Sequence, residues 1–239
     1  MKEIQIQPSF VNTKNVRNFG VLMDGLDLLA GEGCLGAVSG RAGLGKTKTA
    51  TVYAAKNGSV YMQMLRIYVN SEMEFLRGIC RALELKATFG RKGDAFLAAA
   101  AELERRKAPL LIDEADLMPH WGIEVARDLT KVARAHVVLI GEEELIPMMQ
   151  RNRRVWSRTF QYMEFTPIDT TDIMLYCKEA TGLTMSPDVA AVFMEASGGD
   201  FRLVKRDIAK LVQYANAAGG ADRIDAKMAR IAVKKGLKG

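Results

Sequence analysis

The sequence predicts an α/β fold: a parallel five-stranded sheet sandwiched by helices, followed by a small all-helical lid domain. Three observations point there. Short apolar runs recur up to about residue 166, and segments with helical spacing alternate with them. A glycine-rich octet, Gly40-Arg41-Ala42-Gly43-Leu44-Gly45-Lys46-Thr47, directly follows the first run. Beyond Pro167 the strand signal stops and only helical spacing remains.

Residues 35–39 (Leu-Gly-Ala-Val-Ser) form a short apolar strand leading into the octet. Residues 46–55 have helix-compatible composition, and Asn57-Gly58 marks a turn. Residues 59–64 alternate and suit a second strand. Ser71 with Glu74 reads as a capping box ahead of Phe75, Leu76, Ile79, Cys80 and Leu83 at helical spacing. Asp94 is placed to cap a further helix carrying Phe96, Leu97, Ala100 and Leu103. Residues 109–113 are a continuous apolar run ending in an acid, the pattern of a strand buried on both faces. Residues 137–140 are another, ending at Gly141, and residues 160–165 are the last strand candidate. Strands alternating with helices imply right-handed crossovers on a parallel sheet. Further helices are expected over about 170–180, after Ser186 with Pro187 in its first turn, over about 201–217, and after Asp225.

Composition bounds the function. A chain of 239 residues, 49% hydrophobic and 26% charged, can bury one large or two modest domains, which argues against disorder. No apolar run approaches the roughly 20 residues of a membrane span. The N-terminus lacks a signal-peptide layout, so the expectation is a cytoplasmic protein with no membrane partner. Cys34, Cys80 and Cys177 are odd in number and scattered, so neither a disulfide framework nor a zinc site follows. A net charge of +6 admits a polyanionic partner without requiring one.

The octet fits G-x-x-x-x-G-K-[ST] with no mismatch. Its glycines let backbone N–H groups close around phosphates, and the helix that follows adds its positive end. Gly40, Gly43, Leu44, Gly45, Lys46, Thr47 and Lys48 are therefore the candidate nucleotide-binding residues, with ATP and Mg²⁺ as the expected ligands. Lys46 supplies charge to the β- and γ-phosphates, and Thr47 offers a hydroxyl to the metal. Asp113, ending the 109–113 run, is placed to hold Mg²⁺ through water. Glu114 is the candidate for polarising the attacking water. The alternative for Glu114 and Asp116 is that they cap the next segment. Asp113-Glu-Ala-Asp116 also spells the box of a large helicase class, but no second-lobe arginine motif accompanies it.

At this point the order of motifs resembles the AAA+ ATPases, from about Asn15 to Leu211. The resemblance implies a nucleotide-binding core with a short N-terminal extension over 1–166 and a helical lid with a basic C-terminus over 167–239. It puts a γ-phosphate-sensing polar residue after the fourth strand. This chain has Glu142 there, an acid that repels the γ-phosphate unless protonated or metal-bound, so hydrolysis is expected to be slow and partner-stimulated. Arg154-Val-Trp-Ser-Arg158 resembles the family's arginine-finger segment. Arg158 would then reach the ATP of a neighbouring subunit, with Arg154 as the alternative. A basic surface cluster of Arg151, Arg153, Arg154 and Arg158 is the competing reading. Gly199-Asp-Phe-Arg202 resembles the motif by which a lid arginine, here Arg202, contacts nucleotide.

Within AAA+, the octet, the Asp-Glu-Ala-Asp strand end and Val-Leu-Ile-Gly-Glu-x-x-Leu are most similar to the transposition target-selector ATPases of the phage Mu B kind. That resemblance implies self-assembly into a filament or ring on double-stranded DNA, with little sequence preference, and delivery of target DNA to a DDE transposase. Replication helicase loaders and initiators share much of the layout and are the alternative; a protein-only ATP switch is the third. The phage Mu member carries an N-terminal DNA-binding domain, whereas only about 30 residues precede the first core strand here, so DNA contact is expected from the core. Lys86, Thr88, Arg91 and Lys92, between two helices after the second strand, are the candidate phosphate contacts; a solvated basic loop is the alternative. A second basic region holds Arg223, Lys227, Arg230, Lys234, Lys235 and Lys238 against Asp225. His120, Trp121 and Trp156 carry no catalytic pattern, and Trp121 is expected to pack.

Overall fold

Continuous apolar runs take the middle of the sheet and alternating ones its edges. In the computed structural model, which describes residues 3–7, 10–29, 31–219 and 224–234, the strands are β1 (Leu35–Ser39), β2 (Val60–Gln63), β3 (Leu110–Asp113), β4 (Val137–Ile140) and β5 (Thr159–Glu164). They form one parallel sheet in the order β2-β3-β4-β1-β5. Every residue of β1, β3 and β4 is buried. On the edges β2 and β5 burial alternates, so Phe160 and Tyr162 of β5 are exposed.

Contacts divide the chain into two units. The core unit takes in Asn18–Arg41 and Lys46–Phe165, and the helical unit comprises the described residues of Met1–Arg17, Ala42–Gly45 and Thr166–Gly239. Helix α1 (Lys14–Asp27) begins in the helical unit and ends in the core. The other core helices are α2 (Lys46–Asn57), α3 (Arg66–Val69), α4 (Glu72–Ala82), α5 (Lys92–Arg106), α6 (His120–Ala133), α7 (Leu145–Arg151) and α8 (Arg153–Trp156). Phe75, Leu76 and Ile79 of α4 and Leu103 of α5 bury against Ile112 of β3 and Leu139 of β4 in one apolar cluster. Trp121 meets Phe75 edge-on at 5.8 Å, so it packs.

The helical unit holds α9 (Thr170–Thr181), α10 (Pro187–Ser197), α11 (Phe201–Ala217) and α12 (Ala226–Lys234) around Ile173, Phe193, Val204, Ile208 and Leu211. The N-terminal stretch is tied to it. Ile4 and Asn216 exchange two hydrogen bonds at 2.9 Å, and Gln7 N–H donates to the Ala180 carbonyl at 2.7 Å.

Three capping expectations need correction. Ser71 does accept from Glu74 N–H at 3.2 Å, but the Glu74 carboxylate turns to Arg77 at 2.7 Å, leaving half a box. Helix α5 starts at Lys92, with Arg91 at the cap position making no cap bond; Asp94 lies inside the first turn, where its charge still meets the helix's positive end. Ser186 stands at the cap of α10 without a side-chain bond, so Pro187 carries that start. Asp225 does accept from Met228 N–H at 2.8 Å at the start of α12. Cys34, Cys80 and Cys177 are free and buried. Among the described residues no helix is long and apolar enough to cross a membrane.

Candidate nucleotide-binding site

The octet leaves β1 through a turn that only glycine fits. Ser39 O accepts from Phe165 N–H at 2.7 Å, and Gly40 then turns with φ +143°, where an added Cβ would stand 2.7 Å from the Phe165 carbonyl oxygen. Gly43 and Gly45 also have positive φ, at +87° and +94°. Such a run of reversals is how a loop turns successive N–H groups toward an anion. Leu44, between them, is buried at 3% exposure. Within the helical unit, Phe201 N–H donates to the Gly43 carbonyl at 3.1 Å, and the Asp200 carboxylate lies where a Gly43 side chain would stand.

Lys46 opens α2. Its ammonium donates to the Gly40 carbonyl and, at 3.0 Å, to that of Arg41. Burial pushes its pKa down, while Glu142, Asp113, Glu114 and Asp116 pull it back up. Four carboxylates thus act electrostatically on one lysine. Thr47 and Lys48 are exposed in the first turn of α2.

The acids are held by different means. Asp113, 1% exposed, accepts from Tyr61 Oη at 2.9 Å and from Glu114 N–H at 3.0 Å. Glu114 sits in the left-handed region (φ +56°), between β3 and a short 3-10 turn (Ala115–Leu117). Its carboxyl pKa is raised by burial first, then by Asp113, Asp116 and Glu142, with Lys46 opposing. Asp116 Oδ1 accepts from Glu142 N–H at 2.9 Å and lies 2.6 Å from where a Gly141 Cβ would be. Asp116 therefore fastens the turn after β3 to the end of β4. The donor set fits a nucleotide with a divalent cation. The loop has glycine at its reversals, Thr47 and Asp113 supply oxygen, and the excess of carboxylate over ammonium calls for positive charge.

Arg158 stands apart from this group. Arg158 O accepts from Leu35 N–H at 2.8 Å, so Arg158 stands at the start of β1, whereas the octet follows its end. The strand between them spans about 13 Å. Arg151, Arg153 and Arg154 are exposed on α7 and α8. Arg202 lies in the first turn of α11, its side chain 67% exposed and 3.8 Å from Asp200. Lys86, Thr88 and Arg91 are exposed between α4 and α5, but Lys92 is paired with Glu72 at 2.6 Å. Lys227, Arg230 and Lys234 are exposed on α12, while Arg223, Lys235 and Lys238 lie outside the described residues. Sequence reasoning missed Tyr61, whose alternation within 59–64 was read only as a strand signal.

Residues 31–149 match the family model for the AAA domain. With the fold and the phosphate loop, this makes residues 31–149 an AAA+ ATPase domain. The chain is similar to the Mu-like prophage FluMu DNA transposition protein B of Haemophilus influenzae, 24% identical over 217 residues, covering 87% of this chain and 74% of that protein. It is also similar to the ATP-dependent target DNA activator B of Escherichia phage Mu, 28% identical over 152 residues, covering 64% of this chain and 48% of that protein. The match thus spans about half the length of the phage activator. Among solved structures, the ORC2 protein of Aeropyrum pernix aligns with a TM-score of 0.68 and 16% identity, over 98% of this chain and 70% of that one. The RuvB branch migration motor of Thermotoga maritima aligns with a TM-score of 0.64 and 14% identity, over 95% and 70%. Those two share the fold.

Proposed function

We propose that this ATPase binds duplex DNA in an ATP-dependent way, assembles on it as a filament or ring, and delivers target DNA to a DDE-type transposase or activates that enzyme. The observation that supports the reading is the position of Arg158 at the opposite end of β1 from the octet. Lys46, Asp113 and Glu114 lie at one end of the strand, and Arg158 stands at the other. An arginine so placed serves a neighbour's nucleotide rather than its own, so the active unit is an assembly. Relatives called DNA transposition protein B and ATP-dependent target DNA activator B support the transposition role.

In this reading Lys46 exchanges the Gly40 and Arg41 carbonyls for the β- and γ-phosphates, while the octet's N–H groups enclose them. Thr47 and Asp113 would hold Mg²⁺, which would offset phosphate charge when bound. Lys48 flanks the loop, and Arg202 is the helical unit's candidate nucleotide contact. Glu114, whose pKa is already raised, accepts a proton from water and orients it. Glu142 adds like charge facing the γ-phosphate, which slows unaided turnover. Lys86, Thr88 and Arg91 meet DNA phosphates, and Lys92 joins them only by leaving Glu72. A helicase-loader or initiator role is the second reading, favoured by the ORC2-like fold over nearly the whole chain.

Electron microscopy tests the proposal. Regular filaments or rings are expected with duplex DNA and a slowly hydrolysed ATP analogue together, and not when either is omitted. Discrete monomers under all conditions refute the assembly. Assemblies that stimulate a helicase and leave the transposase unaffected favour the second reading.

A further inference from the structure

The Asp113 carboxylate is clasped from the neighbouring strand. In the β2–β3 register Gln63 stands opposite Asp113, so Tyr61, two residues earlier, shares its face of the sheet. From there the Tyr61 hydroxyl donates to Asp113 Oδ2 at 2.9 Å. The Glu114 N–H takes the other oxygen, Oδ1, at 3.0 Å, and Met64 N–H donates to the Asp113 backbone carbonyl at 2.8 Å. Among the described residues each carboxylate oxygen thus has one protein donor. A carboxylate offers about four lone-pair sites, so roughly two stay free for other donors. The two contacts differ in kind: the backbone bond at Oδ1 comes with the turn after β3, whereas the bond at Oδ2 depends on one side chain from another strand.

We infer that Tyr61 is a positioning residue for the divalent cation, its hydroxyl fixing the Asp113 carboxylate so that the free lone pairs face the cation's water shell. The inference rests on reading Thr47 and Asp113 as the pair that holds the cation. A phenol hydroxyl is protonated at neutral pH, so Tyr61 is a donor to the carboxylate. Without the hydroxyl only the Glu114 N–H restrains the carboxylate's turn about its Cβ–Cγ bond, and cation binding must then complete its ordering. Partners of this kind behind metal-holding groups are worth about 10- to 100-fold in metal affinity.

The test is equilibrium binding of a fluorescent ADP analogue to the full chain, in EDTA and across a Mg²⁺ titration. Tyr61→Phe should bind nucleotide in EDTA within about twofold of the parent, yet need about 10-fold more Mg²⁺ for the half-maximal metal-dependent change. Only molecules competent to bind in EDTA contribute to that midpoint, so partial unfolding does not imitate the shift. In an Asp113→Ala background Tyr61→Phe should add nothing, because the two residues act as one unit. An unchanged midpoint, an equal loss in EDTA and in Mg²⁺, or a full effect in the Asp113→Ala background overturns the inference. Lys46→Ala separates the two levels. If Lys46→Ala binds like the parent, the nucleotide-site reading itself fails. If it loses binding while Tyr61→Phe keeps the parent midpoint, the Tyr61 inference alone fails.

Discussion

Replacing Glu114 with glutamine should make the ligand-free protein more stable and the enzyme inactive. Glu114 is one of four carboxylates acting electrostatically on Lys46, and burial and its acidic neighbours raise its pKa above the ordinary 4.5. A raised carboxyl pKa means the folded state holds a proton that the unfolded state has released. Stability therefore falls as pH rises from about 4.5 through the folded value. Glutamine keeps the shape and removes the charge. Because Glu114 is only partly buried, solvent screening limits the gain to the order of 1 kcal/mol at pH 7. For a chain of this length that is about 2–4 °C in melting temperature. Thermal melts at pH 7 and pH 4 read it directly: the gain should be present at pH 7 and absent at pH 4, where both states of the parent are protonated. Turnover measured alongside should fall by about 100-fold or more, the usual worth of a proton acceptor. A variant less stable than the parent at pH 7, or one that hydrolyses ATP within a few-fold of it, refutes the reasoning.

Three more outcomes follow from the geometry. Gly141→Ala drives a methyl group into Asp116, whose oxygen and backbone nitrogen lie 2.6 and 2.9 Å from the new atom; urea titration should show a loss of about 1–3 kcal/mol, and a neutral effect contradicts the packing described. Mixing Arg158→Ala with Glu114→Gln subunits should restore activity that neither has alone, to about a quarter of the parent rate in a random equal mixture. No recovery at any ratio rules out a shared site. Alanine at both Lys86 and Arg91 should flatten the salt dependence of duplex binding by about one unit of slope per residue, equally across sequences, whereas an unchanged slope removes them from the interface.

The sheet was legible wherever burial leaves a one-dimensional trace. Residues 35–39, 109–113 and 137–140 read as continuous apolar runs because β1, β3 and β4 are covered on both faces. Alternation within residues 59–64 marked the edge strand β2 for the complementary reason. Helix α1 was not anticipated: Asn15, Asn18 and Gly20 are weak helix formers, and the helix depends on burial of Phe19, Leu22, Met23 and Leu26. Helix α6 was also passed over, although Ile123, Ala126 and Leu129 carry its buried face. The phosphate loop was readable because its chemistry is contiguous. The contacts around Asp113 were not, since Tyr61 and Asp116 reach their partners only once β3 lies between β2 and β4, an adjacency that chain order does not reveal. Lys92 illustrates the same limit. It looks like a free cation until Glu72, 20 residues away, is found at 2.6 Å.

ATP-controlled DNA binding is the claim on which the account stands. Equilibrium binding of a labelled duplex at fixed salt, with and without ATP and Mg²⁺, tests it most directly in the parent chain and in Lys46→Ala. The account predicts tight binding by the parent only with ATP, and weak binding by Lys46→Ala under every condition. Duplex affinity that is the same with and without ATP, and the same in the two proteins, contradicts it.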